Sequence, residues 1–347
     1  MRHLIAFLII LPSIALAKNE LTFDGFVDMY YAYDFNNPQN GDRDYTTQPA
    51  RSDEFNINLA LLGVTHKVNK LTTRLSFQAG TYVQSNYAAE PSVGNTSGPS
   101  LSRNIQDAFV KYQLTDKSSV IAGIMPSHVG YESVFSIDNY TYSRSLAADY
   151  SPYYQSGVGL IHQLNPSWTF EGYVLNGWQN ISEDDTRKSL GTAIRYNKDK
   201  WSVNYTTYLG SYLERSRHFH DINIEYRLSE SVRLKTLYNF GVQDQADNKE
   251  AYFSTFNIQA HWQMNPLHAL SLRFETYHDT EQANITTNTD QAFNVSGGSL
   301  GYDYAIEEGY LLRAEYRYFK GSEKIYKKQD SFEDTNQNFV ISLATRF

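Results

Sequence analysis

Nine histidines and no cysteine set the limits on the chemistry open to this 347-residue chain. The histidines are His3, His66, His128, His162, His218, His220, His261, His268 and His278. Histidine is the usual base beside a hydrolytic nucleophile. No Gly-x-Ser-x-Gly or His-Glu-x-x-His spacing accompanies any of them. His218 and His220 would share one face of a strand and could grip a metal, but two ligands lack a third. Asp184 and Asp185 form an acidic pair in a polar stretch that reads as solvated. The missing cysteines exclude a disulfide framework, thiolate zinc and a cysteine nucleophile. A formal net charge of −8 argues against nucleic acid as a partner, because that footprint is basic. These readings disfavour an enzyme and imply no cofactor and no metal.

The elements that carry the remaining charges are strands. In the segment around 269–278, Leu270, Leu272, Phe274 and Thr276 alternate with Ser271, Arg273, Glu275 and Tyr277. Further on, Tyr310, Leu312, Ala314, Tyr316 and Tyr318 alternate with Leu311, Arg313, Glu315, Arg317 and Phe319. Period two of this kind is a strand with one apolar and one polar face. Sixteen such segments are predicted, near 21–35, 54–66, 70–85, 104–114, 118–126, 156–164, 167–178, 189–197, 200–211, 219–228, 231–242, 251–264, 268–279, 292–304, 309–320 and 336–347. The weakest patterns are 118–126, 156–164 and 292–304, and losing two of the sixteen would leave fourteen strands.

Connections alternate as well. Short ones such as Asn165-Pro166, Lys198-Asp199 and Asn265-Pro266-Leu267 are interleaved with long ones near 36–53, 86–103, 127–155, 179–188, 212–218, 243–250, 280–291 and 321–335. That is the layout of a transmembrane antiparallel β-barrel with short periplasmic turns and long extracellular loops. Wall side chains cannot fill a lumen of sixteen strands. The apolar face must therefore meet lipid, and the charged face must line the inside. The long connections carry 20 acidic and 12 basic residues, which suits a solvated outer surface facing lipopolysaccharide.

Both ends of the sequence read as signals. Arg2 and His3, the apolar run Leu4–Leu11 and the small-residue site Ala15-Leu16-Ala17 have the layout of a cleaved secretory signal over 1–17. The barrel then occupies 18–347. In the last segment Phe339, Ile341, Leu343 and Phe347 form an aromatic-ended strand, resembling the signal that barrel-assembly machinery reads. The chain is therefore expected in the outer membrane of a Gram-negative bacterium. Its expected partners are lipid and lipopolysaccharide, with periplasmic chaperones and the assembly machinery as transient ones. A homotrimer is an analogy with general porins that no sequence feature tests.

Candidate site residues fall in two groups. The predicted wall set is Arg74, Lys111, Glu171, Arg195, Arg233, Arg273, Glu275, Arg313 and Glu315, with both signs mixed on single strands. A filter would show a ring of one sign, so cross-strand pairing on a hydrated wall is the plainer expectation. Loop 127–155 is the longest and is crowded with tyrosines. A loop of that length without its own periodicity is usually functional. Its aromatics predict that it folds inward and narrows the lumen, with Glu132, Asp138, Arg144 and Asp149 nearest a passing solute. The competing expectation is an external cap with no role in permeation.

Several motifs also carry a family resemblance. They are Gly123-Ile124-Met125-Pro126, Val129-Gly130-Tyr131-Glu132, Asn139-Tyr140-Thr141-Tyr142-Ser143-Arg144-Ser145, Ser151-Pro152-Tyr153-Tyr154 and Asn176-Gly177-Trp178. With Phe23-Asp24-Gly25 and Gln106-Asp107-Ala108-Phe109, this block resembles the OmpL-like β-barrel porins over roughly residues 21–180. The resemblance implies an outer-membrane channel for small hydrophilic solutes and carries no particular solute. Two other readings stay open: a structural or adhesive barrel without an open pore, and an outer-membrane hydrolase.

Overall fold

The computed structural model describes residues 19–183, 185–245 and 249–347. The secretory-signal segment and Asp184 lie outside the described residues. Sixteen strands close into one antiparallel barrel. They are β1 (Asn19–Asp34), β2 (Glu54–Val68), β3 (Leu71–Ala79), β4 (Ile105–Thr115), β5 (Ser118–Pro126), β6 (Tyr154–Asn165), β7 (Trp168–Leu175), β8 (Ser189–Lys198), β9 (Trp201–Tyr212), β10 (Arg215–Arg227), β11 (Val232–Asp244), β12 (Glu250–Asn265), β13 (His268–Asp279), β14 (Phe293–Glu307), β15 (Tyr310–Gly321) and β18 (Thr335–Arg346). A small hairpin, β16 (Tyr326–Lys328) with β17 (Ser331–Glu333), stands in the last long loop. Each barrel strand pairs with its neighbour along the chain. β1 and β18 close the ring, with Met29 opposite Leu343 and Tyr33 opposite Phe339.

The alternation read from the sequence sets the two faces. Leu272 and Leu300 sit opposite each other and half exposed on the outside, while Arg273 beside them is buried inside. Aromatic pairs gather at both ends of the outer wall. Trp201 packs on Tyr226 at 4.3 Å and Trp168 on Tyr196 at 4.8 Å near the short turns. Tyr31 packs on Phe55 at 5.0 Å near the long loops. Such girdles mark the two interfaces of a membrane barrel.

Side chains build the short turns. Asn165 Oδ1 accepts the amides of Ser167 and Trp168 at 2.9 and 3.1 Å. Asn265 Oδ1 does the same for Leu267 and His268 at 3.0 and 3.1 Å. The Asn side chain replaces a backbone partner and the following proline presets φ, so the chain reverses in two residues.

Three expectations change. Segment 70–85 is not one strand: β3 stops at Ala79 and helix α1 (Thr81–Asn86) follows. Gly80 turns the chain at φ 138, where an added Cβ would lie 2.2 Å from the Asn58 carbonyl oxygen. The long loop expected over 212–218 is a tight turn. Leu213 and Glu214, both at positive φ, join β9 to β10 directly. Finally, loop 321–335 holds the β16–β17 hairpin. Among the described residues the loops also hold two short α-helices, α2 (Pro99–Ser102) and α3 (Leu146–Asp149), and a 3-10 turn at Ser136–Asp138.

Candidate functional site

Loop 127–153 leaves the end of β5 and descends into the barrel. Wall charges hold it there through its own backbone. Arg313 donates to the carbonyls of Ser136 and Asn139, both at 2.9 Å. Arg273 donates to Ser143 O at 2.6 Å and to Thr141 Oγ1 at 2.8 Å. Glu315 accepts the Ser143 amide at 2.7 Å and its hydroxyl at 2.6 Å. Glu275 accepts the Leu146 amide at 2.7 Å, and Arg195 donates to His128 O at 3.1 Å. A loop with few regular hydrogen bonds of its own has its polar groups satisfied by the wall, as burial demands.

All nine wall candidates point inward, and most pair with a charge on the same wall. Arg74 bridges Asp24 and Asp107 at 2.6 and 3.1 Å, and Arg195 meets Glu171 at 2.8 Å. Arg273 lies 3.1 Å from Glu275 and 3.3 Å from Glu315, and Arg313 lies 2.6 Å from Asp303. The side chains of Arg273, Glu275, Glu315 and Arg317 are fully buried beneath the loop. Here the outcome differs from the expected hydrated wall, because the loop supplies the atoms that wall side chains could not. Lys111 is partly exposed, and Arg233 stands in the space at the short-turn end.

The four loop candidates separate. Glu132 accepts from the Ser145 amide at 2.9 Å and from Gln259 at 2.6 Å, and it lines a cavity in the middle of the lumen. Asp138 reaches the short-turn rim and pairs with Arg346 at 2.6 Å. Arg144, expected beside a passing solute, is instead sealed between the rings of Tyr82 and Tyr153, 4.2 and 3.5 Å from their centroids. Two electron-rich faces replace water around the guanidinium, a cation–π arrangement. Asp149 closes α3 and accepts from Thr47 Oγ1 at 2.5 Å, tying this loop to loop 35–53. Burial pushes its carboxyl up to about 6, against the pull of Arg144. Burial also lowers the pKa of His128, whose Nδ1 and Nε2 meet Gln155 Oε1 and Thr207 O at 2.8 and 2.9 Å.

Two residues outside the candidate set belong to the site. Gln106 and Asp107 line the central cavity. The alternation on β4 turns Asp107 inward on the same face as Lys111; nothing local marks Tyr82 as the partner of Arg144. His218 and His220 do share a face, but it is the outer one, where His220 meets Tyr205 OH at 2.8 Å. Inside, His261 Nδ1 lies 2.9 Å from Ser271 Oγ while its Nε2 faces the Gln263 amide at 3.4 Å. No carboxylate hydrogen-bonds that ring among the described residues, so the orienting third member of a hydrolytic triad is missing there. Among the described residues, no three His, Asp or Glu side chains gather as a metal site.

Solved barrels superpose on this one over nearly its whole length. Vibrio cholerae OmpT superposes with a TM-score of 0.61 at 12% identity, covering 95% of this chain and 98% of that one. An anion-selective porin from Comamonas acidovorans gives 0.62 at 10% identity, covering 95% and 100%. Pseudomonas putida OprB gives 0.62 at 10% identity, covering 95% and 94%. At these identities the likeness shows the fold. No curated protein matches the sequence. The family described as "Putative beta-barrel porin-2, OmpL-like" matches residues 20–347. The chain therefore belongs to the OmpL-like β-barrel porin family, and its barrel is an outer-membrane, porin-like channel.

Proposed function

We propose that this channel passes small hydrophilic solutes by passive diffusion and that loop 127–153 governs the passage. The observation that carries the reading is where the loop lies: inside a lipid-facing barrel, bonded to wall charges, and not across the mouth. Glu132 and Asp138 border the space left in the lumen. Arg144 and Asp149 act from behind, fixing the loop. Arg74, Lys111, Glu171, Arg195 and Arg233 form the part of the wall that solutes meet, while Arg273, Glu275, Arg313 and Glu315 anchor the loop. Phe339, Ile341 and Leu343 on β18, with Phe347 just past its end, form the assembly signal.

Residues 1–17 act as the cleaved export signal into the periplasm of a Gram-negative cell, where chaperones and the assembly machinery receive the chain. One similar structure is described as a trimer form of Vibrio cholerae OmpT, which supports a homotrimer here. The chain works as a passage without catalysis, a reading that its porin family and porin-like barrel support. One observation favours a second reading, a sealed structural or adhesive barrel: the side chains of Arg273, Glu275, Glu315 and Arg317 are wholly covered. Single-channel recording in a planar bilayer separates the two. Discrete conductance steps support the channel with a yielding loop; a folded, heat-modifiable sample without steps supports the sealed barrel.

A further inference from the structure

The space left in the middle of the lumen has its own chemistry. A cavity of about 280 Å³ reaches from Gln106 and Asp107 on β4 to Leu237 on β11. Those strands stand seven places apart in a ring of sixteen, so the cavity crosses nearly the full barrel. Tyr131, Glu132, Phe135 and Tyr153 are among the loop residues that line it.

Its two ionisable carboxylates, Asp107 and Glu132, face no Lys, Arg or His in that lining. Arg74 pairs with Asp107 from behind, through Oδ2 at 3.1 Å. Both donors to Glu132 are neutral, Ser145 N and Gln259 Nε2. Two acceptors are left without a donor: Asp107 Oδ1 and Gln106 Oε1, on side chains that are more than nine-tenths buried. A buried acceptor with no donor is costly, and a small turn of either lining side chain toward a donor-bearing occupant would satisfy it.

We propose that this cavity is a binding site for a small solute rich in O–H or N–H donors, neutral or positively charged, and that it disfavours anions. The proposal rests on the channel reading and names the solute class for it. Size follows from volume. Pockets for drug-sized ligands run to about 300–1,000 Å³, so the occupant is smaller, on the scale of one sugar ring. The rings of Tyr131, Phe135 and Tyr153 supply the apolar contact that a ring face needs, and the carboxylates supply acceptors for its edge. An anion would meet two like charges and no cation in the lining.

Three hexoses that differ mainly in charge test this: glucosamine, glucose and glucuronate. Each is titrated into the folded protein in detergent micelles and read by calorimetry and saturation-transfer NMR. Glucosamine should bind tightest and glucuronate weakest, with a gap of about tenfold, the equivalent of ~1.4 kcal/mol. Glu132→Gln should shrink the gap, lowering glucosamine binding more than glucose binding and raising glucuronate relative to both. Asp107→Asn should do the same, but it also loosens Arg74, so Glu132→Gln is the primary variant and the heat-modifiable gel shift checks its fold. Equal binding of all three, tightest binding of glucuronate, or no binding at all would overturn the proposal. Proteoliposome swelling in glucose is the parallel arm. Swelling without binding overturns the site and leaves the channel; binding without swelling overturns the channel and leaves the site.

Discussion

Acidification should tighten the docking of loop 127–153, and the Asp149 carboxyl sets by how much. In the docked loop its pKa stands at about 6 against an ordinary 3.8, because burial penalises the charged form. Arg144 and Arg317 pull toward the carboxylate, Thr47 donates to it, and Glu132 pushes the other way. A pKa that is higher docked than undocked means that docking is favoured fully below about pH 4. The gain is lost as pH rises through 6. Two units amount to about 3 kcal/mol, roughly a hundredfold in the docked-to-undocked ratio. His128 works with the opposite sign: its neutral form fits the docked loop, so its contribution is lost as pH falls. The Asp149→Asn variant separates the two, because it keeps an acceptor for Thr47 and removes the titration. Amide hydrogen exchange of the loop and single-channel current between pH 4 and 8 are the readouts. Wild type should exchange faster and conduct more above pH 6 than at pH 4.5, and the variant should lack that step. Identical pH profiles for the two proteins would refute the reasoning.

Three other perturbations follow from the same geometry. Arg313→Ala strips two loop carbonyls of their donor and leaves Asp303 without its ion pair. Removing one partner of a buried pair costs about 3–5 kcal/mol, so the loop should become protease-sensitive while the barrel stays folded. Leu272→Arg places a cation on the lipid face and should lower stability by about 2–4 kcal/mol if it sits at the midplane, seen as an earlier unfolding midpoint in urea. Gly123 holds φ 127 in β5, where an added Cβ would lie 2.2 Å from Ala108 O. Gly123→Ala should cost about 3 kcal/mol in strain, and the heat-modifiable gel band should weaken.

The barrel was legible because two independent periods run through the sequence, one within strands and one between turns. Asn165-Pro166 and Asn265-Pro266 named their own turns, since the side chain that closes each turn is local. The turn at Leu213-Glu214 was missed for the converse reason. Neither residue is a usual choice for positive φ, and the pairing of β9 with β10 imposes it. The end of β3 at Gly80 had a readable cause in the glycine itself, but the run Thr81-Tyr82-Val83 continues to look like strand. The inward charges followed from alternation alone. What covers them did not: Arg144 is 62 residues from Tyr82 in sequence and in contact with its ring in space. Whether a wall arginine meets water or a loop carbonyl is decided by loop closure, which no local pattern encodes.

The central claim is that solutes travel where loop 127–153 now lies. The chain has no cysteine, so a single Ser133→Cys, on the wall of the central cavity, can be addressed alone by a bulky thiol reagent. Single-channel current through the variant in a planar bilayer should show discrete steps that shrink or vanish when the reagent reacts. Steps of unchanged size after complete modification, or a folded variant that shows no steps before it, would contradict the claim.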